Sequence, residues 1–169
     1  IPLLAHDPDG EGYVYVKFIT KTHDKALGDC TWLEIMHCDD GFRFDEEVTY
    51  VTLEEKDAGT PQSLSLEKGE NIIARYLLGG VPVIARVRLD GTLLDKLPLS
   101  HLFQGNAWKI NGMATYDESP LQYAVYGWDT TPEGDTTFLA QVVDSMFNLQ
   151  ETIIPESESG HYHYFANMV

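Results

Sequence analysis

The chain has 169 residues, 43% of them hydrophobic and 22% charged, and its 27 Asp and Glu against 11 Lys and Arg leave a formal charge of −16. Such a surface repels a phosphate backbone, so direct nucleic-acid binding is not expected, and no apolar run reaches the ~18 residues of a membrane-spanning helix. Length and composition fit a single globular domain over 1–169, with an acidity that suits a crowded assembly, a high-salt medium, or imitation of DNA toward a basic partner.

Near the amino end, HDPDGEGY sets Asp7, Asp9 and Glu11 at alternate positions before Gly12, as in the first half of a calcium loop. The match stops there, because the loop's twelfth position is Phe18 rather than Glu and Pro8 stiffens the turn. A solvated acidic turn is expected. From residue 13 onward most segments alternate apolar and polar residues, are rich in Val, Ile, Thr, Tyr and Phe, and are separated by Gly, Asp and Pro clusters. The pattern predicts strands near 13–20, 31–38, 47–53, 71–78, 82–89, 107–115, 121–128 and 161–168. The fold class is therefore mainly β, an antiparallel sandwich or barrel of about eight strands.

Within this series, Cys30 and Cys38 flank TWLEIMH, and an extended segment holds their Cα atoms beyond the ~7 Å a disulfide allows, which predicts two free thiols. His37 and Cys38 are adjacent in that strand and so point to opposite faces, which argues against a nucleophile and base pair. The run CDDGFRFDEE, with Asp39, Asp40, Asp45, Glu46 and Glu47, reads as a solvated loop. In PVIARVRLDG, Val83, Ala85, Val87 and Leu89 should face a core and Arg86 and Arg88 solvent, before a turn at Asp90-Gly91. LLDKLPLSHLFQG suggests a short helix interrupted by Pro98 and ended near Gly105. Trp32 and Trp108 alternate with apolar neighbours and read as core. LQYAVYGWDTTPEGD instead sets Tyr126 and Trp128 on one strand face near a strand end, with Asp129 as a polar rim.

Farther on, Phe138, Leu139, Val142, Val143, Met146 and Phe147 recur at i, i+4 and i+8, which predicts one amphipathic helix near 136–149, packed on a sheet. The tail GHYHYFANMV places His161 and His163 two apart, on one face of a strand, where they could share a divalent metal. A third ligand must come from elsewhere in the chain; His6, His23, His37 and His101 could supply it, and no spacing selects among them. No phosphate-binding glycine loop or G-x-S-x-G elbow occurs.

Three functions from different classes follow. The first is a non-catalytic structural or assembly protein, of the kind found in a virion or a secreted particle, acting through protein contacts and self-association and requiring no cofactor. The second is a module for a carbohydrate or other small ligand, with Tyr126, Trp128 and Asp129 as its site. The third is a metal-dependent enzyme using His161 and His163.

Overall fold

The computed structural model describes residues 2–8, 10–24, 28–68, 70–103, 110–130, 134 and 136–154. Among them the chain is mainly β, with twelve strands and no α-helix. In chain order these are β1 Pro2–His6, β2 Tyr13–Asp24, β3 Gly28–Cys38, β4 Phe44–Glu54, β5 Thr60–Glu67, β6 Asn71–Leu78, β7 Val81–Arg88, β8 Leu93–Pro98, β9 Ile110–Glu118, β10 Leu121–Thr130, β11 Thr136–Asp144 and β12 Leu149–Ile153. They form three antiparallel four-stranded sheets, β1–β4, β5–β8 and β9–β12, and within each sheet neighbouring strands are consecutive in the chain. The chain divides into two compact units, Ile1–Pro98 with the first two sheets and Leu99–Val169 with the third.

Three expectations are corrected here. Twelve strands replace eight, and the helix expected near 136–149 is the hairpin β11–β12. The helical spacing arises because β11 is covered on both faces, with Leu139, Ala140, Gln141, Val142 and Val143 all buried, so its apolar residues run on rather than alternate. A five-residue turn, Asp144 to Asn148, then carries Phe147 back into the core. Likewise LLDKLP is the edge strand β8, with an alternating exposure pattern, instead of a helix. The tail at 161–168 lies outside the described residues.

All three sheets close their third hairpin in the same way. In each, residue X accepts a hydrogen bond from the amide of X+3 and donates to the carbonyl of X+4, where X is Asp39, Arg88 or Asp144. The X+3 residue is left-handed in each: Phe42 at φ 57°, Gly91 at 90° and Phe147 at 63°. Glycine is the ordinary occupant of such a position, and only the second turn uses it.

In the first unit, the sheets β1–β4 and β5–β8 share one core, the layering of a sandwich. Val14, Val16 and Phe18 of β2, Leu33 and Ile35 of β3, and Val51 and Leu53 of β4 meet Ile72, Ala74 and Tyr76 of β6 and Val83, Ala85 and Val87 of β7, with Leu89 beyond β7. Each fully buried Val, Leu or Ile contributes about 1.5–3 kcal/mol relative to exposure. The Val83, Ala85, Val87 and Leu89 expectation holds, whereas Arg86 is buried rather than solvated. Its strand is central in its sheet and covered on both faces, and Glu67 and Asp95 supply carboxylate oxygens at 2.9 Å from its guanidinium. In the second unit, Tyr123 and Phe147 stack with centroids 5.3 Å apart, and the amide of buried Phe103 donates to Gln141 Oε1.

Candidate functional site

Both thiols are free, and Cys30 and Cys38 are buried on β3. His37 turns from Cys38 to donate from Nδ1 to Asp7 Oδ2 at 2.8 Å, a bond that ties the β1–β2 loop to the end of the sheet. Gly12 completes that corner at φ 117°, where a Cβ would meet the Cys38 carbonyl at 2.1 Å. Asp7, one end of the half calcium motif, is thus held by an imidazole. Among the described residues no group of three or more His, Cys, Asp or Glu is placed to hold a metal ion. His161 and His163 lie outside those residues.

On β10, Tyr126 and Trp128 share a face and meet Phe138 of β11, with centroids 6.1 and 5.3 Å apart. Trp128 is half-buried, its ring at 73° to that of Phe138. Asp129 is 3% exposed and, by strand alternation, lies on the opposite face, so the structure joins the two aromatic residues and separates them from the expected polar rim.

A crevice of about 370 Å³ opens along the end of β4, walled by Glu54, Asp57 and Lys96. Two of its charged groups, Glu54 and Lys96, are engaged with each other. Tyr76 Oη donates to Glu54 Oε1 at 2.7 Å, and Lys96 Nζ donates to the Leu53 carbonyl and the Glu54 carboxylate, each at 3.1 Å. Burial first, then the hydrogen bond to Glu54 and its negative charge, push the Tyr76 phenol far above the usual tyrosine range. This arrangement clamps β4 to β6 and β8.

An aromatic-rich, partly exposed surface lies on the outer face of the first sheet, away from the core. Because strand residues alternate, burying Val14, Val16 and Phe18 turns Tyr13, Tyr15, Lys17 and Ile19 outward. Cross-strand register assembles them into rows: Leu4, Tyr15, Met36 and Val48; then Lys17, Glu34 and Tyr50; then Ile19, Trp32 and Thr52. At the turn end, Phe42 stacks on Tyr13 at 5.0 Å and 13°, and Phe44 meets the edge of Tyr15 at 5.8 Å. Leu4 is 50% exposed, Phe42 54%, Phe44 51% and Tyr50 63%. At ~200 Å² for each ring, Phe42, Phe44 and Tyr50 alone leave on the order of 300 Å² of aromatic surface in water.

Around that end lie Asp39, Asp40, Asp45, Glu46 and Glu47, all exposed, with Arg43 among them. Their expected solvation is observed, but the expected loop ends at Arg43, and Asp45, Glu46 and Glu47 belong to β4; the aromatic face beside them was not expected. The signal was present: YVYVKFIT alternates two apolar sets, and only one can face a core. No helix among the described residues is long and apolar enough to cross a membrane. No family model matches the chain, and no curated protein or solved structure does.

Proposed function

We propose that this chain is a non-catalytic protein that works through protein–protein contacts, made by the outer face of β1–β4. The observation that carries the reading is the set Leu4, Phe42, Phe44 and Tyr50, each half or more exposed and linked across one sheet face through Tyr13, Tyr15, Met36 and Val48. Single exposed apolar residues are ordinary, and a patch of a few hundred Å² is the size of the largest one on a typical monomer, which is often functional; its charged rim favours a contact surface. An aromatic centre with a polar rim is also the composition of protein interfaces. The Glu54, Tyr76 and Lys96 contacts and the His37–Asp7 pair tie strands and loops together.

The test is site-specific photo-crosslinking in the cell that makes the protein, with benzoylphenylalanine at position 50 and, as control, at position 116, where Tyr116 is 52% exposed on β9. A discrete protein adduct from position 50 alone is expected. Its mass separates a second copy of the chain from a different protein. No adduct, or the same adducts from both positions, would overturn the reading.

A second reading, the small-ligand module, is favoured by the grouping of Tyr126, Trp128 and Phe138. Tryptophan quenching by a glycan, abolished in Trp128→Ala, would support it over the first.

A further inference from the structure

Resting on that reading, we infer that the occupant of the outer face is a basic, apolar polypeptide segment of another protein, with Lys or Arg interspersed among hydrophobic side chains. Three observations select it over a second copy of this chain.

The first is area. The exposed rings of Phe42, Phe44 and Tyr50 amount to on the order of 300 Å² of accessible surface. A stable interface between folded partners takes ~800 Å² from each side. The face is sized for a segment.

Charge is the second. The aromatic end is bordered by the exposed carboxylates of Asp39, Asp40, Asp45, Glu46 and Glu47, with Arg43 the cation among them, while Lys17 and Lys21 lie farther along the face, away from this acidic end. A second copy would bring the same acidic border and a further formal charge of −16. Like charges brought together cost several kcal/mol, whereas a basic segment gains both attraction and faster encounter.

The third is contact chemistry already present on this face. At the end away from the turn, Lys21 Nζ lies 5.7 Å from the centroid of the Trp32 ring. An ammonium within ~6 Å of an aromatic face is held by the ring quadrupole. The exposed rings of Phe42, Phe44 and Tyr50 offer the same kind of seat to an incoming Lys or Arg, with carboxylates beside it.

The experiment uses the whole chain and two dye-labelled dodecapeptides, one alternating Lys with Val and one alternating Glu with Val, read by fluorescence anisotropy at low salt. The Lys peptide should bind at least tenfold more tightly than the Glu peptide, and added salt should weaken it. Phe44→Ser with Tyr50→Ser leaves the charge unchanged and should lower affinity about tenfold, as expected for removal of aromatic anchors. Glu46→Lys with Glu47→Lys should lower it similarly. Glu118→Lys with Glu151→Lys, an equal charge change on β9 and β12, should alter it less than twofold.

If the aromatic double variant binds as well as the parent, attraction is diffuse and the inference fails. Equal binding of the Glu peptide also defeats it. A dimer seen by sedimentation velocity that dissociates in Phe44→Ser/Tyr50→Ser would make a second copy the occupant, which overturns this inference and leaves the protein-contact reading standing.

Discussion

Two phenylalanines occupy the same backbone position in turns of the same hydrogen-bonding pattern, and comparing them separates burial from backbone strain. Phe42 and Phe147 have φ of 57° and 63°, and the amide of each donates at 2.9 Å to the residue three before it. Replacing either by Asn, which tolerates the left-handed region, relieves about 1 kcal/mol of strain in both. The side chains differ. Phe147 is 0% exposed and stacked on Tyr123, so its loss should cost about 3–5 kcal/mol, as for other large-to-small changes at core aromatics. Phe42 is 54% exposed, and the stacking it loses with Tyr13 is worth about 0.5–1 kcal/mol, which the relieved strain offsets. Phe147→Asn should therefore destabilise by about 3 kcal/mol, and Phe42→Asn should stay within about 1 kcal/mol of the parent. Urea unfolding followed by circular dichroism measures both through the midpoint shift. Equal losses in the two variants would refute the assignment of Phe147 to the core and Phe42 to an outer surface.

Other consequences follow from the interior. Arg86→Met strands the carboxylate of buried Glu67 and should cost about 3–5 kcal/mol, while Arg86→Met with Glu67→Met should recover much of that loss in the same unfolding assay. Tyr76→Phe removes the hydroxyl bonded to Glu54 and should cost about 2 kcal/mol. Since the native phenol pKa is raised, the stability it contributes is complete below the unfolded value near 10 and declines as pH rises above it. Difference ultraviolet absorbance between the parent and Tyr76→Phe should show that the Tyr76 phenolate appears only with alkaline unfolding, and a normal titration of that residue would contradict this. The Asp144 carboxylate is pushed up by desolvation but held lower overall by hydrogen bonds from Asn148 and the Met146 amide. Its contribution is present above pH ~4 and lost as pH falls further, so Asp144→Ala should narrow the difference between neutral and acid melting temperatures.

Much of the fold could be read from local pattern, and the failures share one cause. VPVIARVR and NIIARYLL carry β-branched residues at strand spacing, and LDGT marks its turn with the glycine that the left-handed position favours. In the first and third sheets that position holds Phe42 and Phe147, so the turn sign is missing. In the third, Phe147 then extends the apolar run of a doubly covered strand into a false helical stripe. Arg86 misled for a related reason. Alternation tells which residues share a face, but not that a second layer covers both faces or that Glu67 and Asp95 come from neighbouring strands to meet the guanidinium. The outer aromatic face was hidden similarly, since Tyr13, Tyr15, Phe44 and Tyr50 look like core until the opposite set is seen to fill it.

The most direct test of the contact surface is hydroxyl-radical footprinting, comparing the purified protein with protein oxidised within the cells that make it. Met36, Phe42, Phe44 and Tyr50 should be oxidised readily when purified and protected several-fold in the cell, while Tyr116 and Leu149 on the third sheet change little. Equal oxidation of the four residues in both settings would mean that nothing covers this face, and would contradict the account.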